Sequence, residues 1–176
     1  MPPRIEQAIE NRTLAVLVDN EPGVLARVVG MFSARGYNIE SLTVAETDKA
    51  AHTSRITIVT SGQQIILDQI KAQLERIVSV RQVIDVTLDP NGVQRELALL
   101  KVRATGQDRI ESLRIAEIFR AKVIDTTLES FIFETTGASS KIDAIIELMR
   151  PLGLVEVSRT GVLSIHRGPS GAAPEA

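Results

Sequence analysis

Two stretches of this chain run through the same succession of apolar periods, and that repetition leaves few folds open. Thr13 to Val18 is a continuous β-branched apolar run closed by the turn-forming DNEPG, which reads as a buried strand. Leu25, Val28, Val29 and Phe32 then fall at i, i+3, i+4 and i+7, the spacing of one helix face, with Arg35-Gly36 as its exit. Burying such a face contributes about 1.5 to 3 kcal/mol per side chain before entropy is counted. YNIESLTVAE and TSRITIVT read as two strands joined by the polar segment 47–52. Ile66, Ile70, Leu74 and Ile77 return to helical spacing, and VRQVIDVTL returns to strand.

The same β-α-β-β-α-β order follows the loop Asp89-Pro90-Asn91-Gly92. A strand from Glu96 to Ala104 precedes a helix carrying Ile110, Leu113, Ile118 and Phe119. Strands over 123–128 and 130–136 come next, then a helix with Ile142, Ile145, Ile146 and Met149, then a strand over 154–158. FSARGYNIESLTV lies opposite FRAKVIDTTLESF about 87 residues later. The expectation is an α+β protein of two ferredoxin-like βαββαβ domains, residues 12–89 and 93–168. Each is a four-stranded antiparallel sheet with two helices on one face. The small, turn-rich tail 169–176 is expected to be disordered.

Composition excludes more than it suggests. Twenty basic residues against twenty-two acidic ones give a net charge of −2, too little positive field to draw nucleic acid or an acidic membrane. One Tyr and four Phe are too few for the stacking platform of an RNA-recognition module of the same strand order. The absence of cysteine removes thiolate chemistry and disulfides. No stretch has the length and apolarity of a signal peptide or a membrane span, so a cytoplasmic protein is expected.

The usual suppliers of catalysis are equally scarce. His52 and His166 are the two histidines, both read as surface residues, and they have no metal-ligand spacing. No phosphate loop, dinucleotide fingerprint or nucleophile elbow is present. Acidic pairs such as Glu46 and Asp48 read as solvated faces. No catalytic residue and no metal site is assigned.

The turn Asp19-Asn20-Glu21-Pro22-Gly23-Val24-Leu25 is different. Gly23 permits close approach or a left-handed backbone, Pro22 stiffens the entry, and the free N–H groups of the following helix favour an anion such as an α-carboxylate. Asn20 both donates and accepts, which suits a zwitterion. The plainer alternative is a helix start capped by Asp19 or Asn20, and composition alone leaves both open. The second half has only Thr105-Gly106-Gln107-Asp108 at this place, a plain helix start with Asp108 available as its cap.

LAVLVDNEPGVLARVVGMFSARGYNIESLTVAETD resembles the N-terminal ACT domain of the small regulatory subunits of acetolactate synthase (acetohydroxyacid synthase). SRITIV, RELALLKV, IFRAKVIDTT and a closing RG extend the resemblance from Thr13 to Gly168. It implies a homodimer of paired ACT domains that binds valine at their interface. The contacts it implies are Asn20, Gly23, Val24 and Leu25 from one subunit with Asn38 and Ile39 from its partner. Taken alone, Asn38 reads as a turn residue and Ile39 as core. The resemblance further implies a catalytic large subunit that holds thiamine diphosphate, FAD and magnesium, which this chain activates and makes sensitive to branched-chain amino acids. His166 stands where the family pattern leads one to expect serine. Two alternatives stay open. One is an ACT-type module regulating another enzyme or a transcription factor. The other is a small enzyme of acylphosphatase type, which wants an arginine in the first loop, whereas Arg27 lies about one turn inside the helix.

Overall fold

The computed structural model of the protein describes residues 8–168; the expectation for the tail 169–176 lies outside them. Its first repeat comprises β1 (Glu10–Asp19), α1 (Val24–Ala34), β2 (Ser41–Asp48), β3 (Thr53–Gly62), α2 (Gln64–Leu74) and β4 (Val80–Asp85). The second comprises β5 (Gly92–Arg103), α3 (Gly106–Ile118), β6 (Lys122–Thr126), β7 (Ser130–Gly137), α4 (Ser139–Met149) and β8 (Leu154–Arg159), followed by a short β9 (Leu163–His166) that pairs with β5. Both sheets are antiparallel with equivalent strand orders, β2-β3-β1-β4 and β6-β7-β5-β8. The expected pair of ferredoxin-like βαββαβ domains is what the chain forms.

Strand alternation builds the first core. Leu14, Val16 and Val18 of β1 and Ile56 and Ile58 of β3 point to one sheet face, where Val24, Val28 and Phe32 of α1 and Leu67, Ile70 and Leu74 of α2 meet them. Of the expected stripe Val28 and Phe32 are buried and Val29 is half-buried, while Val24 takes the place of Leu25. Leu25 lies at its rim, 37% exposed. β2 starts at Ser41 rather than at Tyr37, because Gly36 turns the chain at φ 67° and the segment 37–40 makes its backbone–backbone bond to β3 through Glu40 N–H to Val59 C=O at 2.8 Å.

α3 departs further from expectation. Ile110 and Ile118 are 61% and 69% exposed and Leu113 is also exposed, whereas Ser112, Ile115 and Ala116 face the sheet with Phe119 beside them. Two of the three buried residues are small, and a search for large apolar residues selects the wrong face. In α4 the predicted Ile142, Ile145, Ile146 and Met149 are all buried. The 87-residue text match is not the structural offset, since α3 ends 84 residues after α1 and β6 begins 81 residues after β2, the loop 35–40 being longer than the loop 119–121.

The chain divides into two compact units. One runs as far as Val93 and takes back the chain from Ser164; the other is Gln94–Leu163. Residues 164–168, assigned from sequence to the second domain, thus cluster with the first. Arg167 N–H bonds Asn91 C=O at 3.1 Å, and His166 Nδ1 pairs with Asp89 Oδ2. That pairing, helped by the Asn91 N–H, holds the Asp89 carboxyl below the usual carboxylate range. His166 therefore has a definite partner instead of being simply solvated.

Candidate functional site

β1 delivers the chain to Asp19, and Asn20-Glu21-Pro22 carries it to Gly23, the N-cap of α1 at φ 85° and ψ −2°. This left-handed conformation costs any residue with a Cβ about 1 to 2 kcal/mol. A Cβ built on Gly23 meets nothing within 4 Å, so conformation rather than crowding calls for glycine, and the space in front of it is open.

The helix-cap alternative is not what forms, since no side chain caps α1. Asp19 instead accepts from Arg81 Nε at 2.6 Å, and Asn20 Nδ2 donates to Glu46 Oε1 at 3.2 Å. Backbone bonds fix the turn, from Asp19 N–H to Ser79 C=O at 2.8 Å and from Asn20 N–H to His52 C=O at 2.7 Å. The first-turn N–H groups of a helix have no helical carbonyl within reach, and their end of the helix carries partial positive charge. The uncapped start beside Asn20 thus presents the partial positive charge that a carboxylate would need. Val24 turns its side chain into the core and its N–H donates to Glu21 C=O at 3.3 Å, while Leu25 presents apolar surface at the rim.

Arg27, the residue weighed for a phosphate cradle, donates from Nη1 to Ser79 Oγ at 2.7 Å and lies 3.8 Å from Glu21 Oε2. Ser79 Oγ in turn donates to Glu21 Oε2 at 3.1 Å. This arginine braces the turn from within the helix. Arg81, Ser79 and Glu46 are supports that the sequence reading missed. They lie 62, 52 and 26 residues from their partners, and no local pattern marks them.

Asn38 and Ile39 sit elsewhere. The Asn38 carbonyl accepts from Thr60 Oγ1 at 2.6 Å and its side chain is exposed, while Ile39 packs partly buried against the first core. β3 provides a ruler, because Asp19 pairs with Thr53 and Asn38 is bonded to Thr60. Seven residues of strand at about 3.3 Å each separate the two ends by roughly 23 Å. One chain therefore brings together Asn20, Gly23, Val24 and Leu25, and holds Asn38 and Ile39 at the opposite end of the same sheet.

In the second unit, Gly106 also has positive φ, 57°, at the start of α3, so a glycine of this kind is not unique to the first turn. The N-cap there is Thr105, and Asp108 lies within the first turn instead of capping it. Three residues before Gly106, where Asn20 stands before Gly23, the chain has Arg103. Among the described residues, no three His, Cys, Asp or Glu side chains gather closely enough to hold a metal ion, and no helix is long and apolar enough to cross a membrane.

Residues 14–82 match the model of the ACT domain of acetohydroxyacid synthase small subunits, and residues 95–168 match that of the small subunit of acetolactate synthase. The acetolactate synthase small subunit of Mycobacterium leprae is 45% identical over 163 residues, 93% of this chain and 95% of its own. This chain belongs to the acetolactate synthase small subunit family. The isozyme 3 small subunit of Escherichia coli K12 is also 45% identical, over 158 residues that make up 89% of this chain and 96% of that one. The crystal structure of the acetolactate synthase small subunit of Thermotoga maritima superposes with a TM-score of 0.81 at 38% identity, covering 92% of this chain and 99% of that one. The turn from Asp19 to Leu25 and the segment Asn38-Ile39 both fall inside the matched ACT domain.

Proposed function

We propose that this chain is the regulatory subunit of an acetolactate synthase. It binds valine, or another branched-chain amino acid, between paired first domains, activates a catalytic large subunit and confers feedback inhibition on it. Family membership supplies the enzyme. The observation that supports the effector site is the separation of its two halves along one sheet with an open edge, β2, beside both. β2 runs antiparallel to β3, so its start lies at the Asn38 end and its finish at the Asn20 end. If two copies join β2 to β2 in antiparallel fashion, the partner's Asn38 comes alongside Glu46 to Asp48, next to Asn20 and Gly23. Two equivalent sites then form about one two-fold axis.

In this arrangement the ligand carboxylate faces the N-terminal turn of α1, Asn20 meets its polar end, and Leu25 with the partner's Ile39 flanks its aliphatic side chain. Specificity among branched-chain amino acids turns on about one methylene, worth roughly 1 to 3 kcal/mol, so overlapping sensitivity is expected. An effector shifts activity only by its differential affinity for two states of the complex, and about 1 to 3 kcal/mol of coupling yields a several-fold to hundredfold response. Thiamine diphosphate, FAD and magnesium belong to the large subunit in this reading.

Reconstitution tests it. The catalytic subunit assayed with and without this chain should gain activity when the chain is added and lose it again when valine is supplied. Unchanged rates in both cases would remove the proposal and leave a module that serves some other protein. Asn20→Ala should weaken valine binding about 10- to 100-fold, the equivalent of a charge-assisted hydrogen bond of roughly 1.5 to 3 kcal/mol. Calorimetry on the full chain measures this directly.

A further inference from the structure

The acids around the first turn are not equivalent. Asp19 is paired with Arg81 at 2.6 Å, Glu21 lies 3.8 Å from Arg27 and accepts from Ser79, and Asp48 is occupied by the N–H groups of Ala50 and Ala51 at 2.8 and 3.0 Å. Glu46 differs, because its hydrogen-bond partner is the neutral amide of Asn20, and among the described residues it forms no ion pair. Its direction is set by the sheet. Glu46 lies opposite Ser54, which lies opposite Val18, and that row faces the helices. A carboxylate is thus held on the helix side of an edge strand, hydrogen-bonded to the asparagine of the turn that opens α1.

We infer that Glu46 is a specificity-determining residue that receives the α-ammonium group of the bound amino acid. The inference rests on the effector-site reading above. A zwitterion offers opposite charges a few ångströms apart, and this end of the domain offers the matching pair, the positive start of α1 for the carboxylate and Glu46 for the ammonium. The Asn20–Glu46 bond orients both acceptors. Its Nδ2 satisfies one carboxylate oxygen and leaves the Asn20 Oδ1 and the second Glu46 oxygen available as acceptors. Glu46 would therefore discriminate amino acids from the corresponding 2-oxo acids and simple branched carboxylates, which share the same carboxylate and side chain but lack the cation.

The test is calorimetry on the full chain with two ligands, L-valine and 3-methylbutanoate, which keeps the isopropyl group and the carboxylate but has no ammonium. In wild type, valine should bind at least tenfold more tightly. Glu46→Gln keeps the size and an acceptor for Asn20 but loses the charge. It should weaken valine about 10- to 100-fold, leave 3-methylbutanoate unchanged or bound more tightly, and so collapse the preference. Unchanged valine affinity in this variant overturns the inference. An equal loss for both ligands also overturns it, because Glu46 would then act only by holding Asn20. A wild-type chain that binds neither valine nor any other branched-chain amino acid overturns the effector-site reading itself, an outcome distinct from the other two.

Discussion

Gly23→Asp should abolish valine binding while leaving the first domain folded. The position is the N-cap of α1, in the left-handed region at φ 85°, with open space where a side chain would go. Aspartate is among the residues that tolerate this conformation and among the best at a helix N-cap, so the strain of about 1 kcal/mol is largely offset by satisfying a first-turn N–H group. What helps the helix harms the site. The new carboxylate occupies the partial positive charge that the ligand carboxylate would use, and it repels that ligand at close range. The expected loss exceeds 100-fold, more than about 2.7 kcal/mol, with an unfolding midpoint within a few degrees of wild type. Gly23→Ala shares the backbone strain without the charge and should keep most of the affinity, which separates electrostatics from conformation. Reconstituted with Gly23→Asp, the large subunit should be activated and insensitive to valine. Normal valine affinity in the aspartate variant would remove the turn from the site.

The parts of this molecule that were legible from sequence are those written in a local period. The run over 13–18, the 142/145/146/149 stripe and the turn DNEPG each declare an element within a few residues, and twice-repeated order was enough to give the fold. Two kinds of feature were not legible. The inward face of α3 is made of Ser112, Ile115 and Ala116, and no hydrophobic pattern distinguishes a buried small residue from one on the surface. The supports of the candidate site, Glu46, Ser79 and Arg81, come from other strands and loops. Their relation to Asn20, Arg27 and Asp19 exists only once the β2-β3-β1-β4 order has been formed. Asn38 shows the same limit in reverse. Its residue type suggested only a turn, and its part in the proposed site rests on the resemblance; that its turn lies at the far end of β3 could be seen only in the fold.

Removal of Arg159 should cost the second unit more stability than any surface substitution. Glu96 on β5 has a side chain only 3% exposed, and Arg159 on β8 meets it with a two-point grip, Nε on Oε1 and Nη2 on Oε2 at 2.8 Å. Ser139 at the start of α4 donates to the same carboxylate at 3.1 Å, and Arg159 Nη1 reaches Asp143 at 2.7 Å. Three elements are thereby tied to one buried charge, and the two carboxylates, Glu96 foremost, hold the guanidinium pKa well above its ordinary value. Arg159→Ala leaves Glu96 buried without a countercharge. Breaking a buried pair in this way costs about 3 to 5 kcal/mol, and the lower end applies because the Arg159 side chain is itself 35% exposed and water reaches the vacated space. Arg159→Lys should recover little, since an ammonium cannot reproduce the two-point geometry. Adding Glu96→Gln to Arg159→Ala should restore part of the loss by removing the stranded charge, so the double variant should be more stable than the sum of the two single changes allows. Urea unfolding of the full chain reads wild type, Arg159→Ala, Arg159→Lys, Glu96→Gln and the double variant. Equal midpoints for wild type and Arg159→Ala would show that Glu96 is neutral or solvated in the folded protein and that the second core is held together by its aliphatic and phenylalanine packing alone.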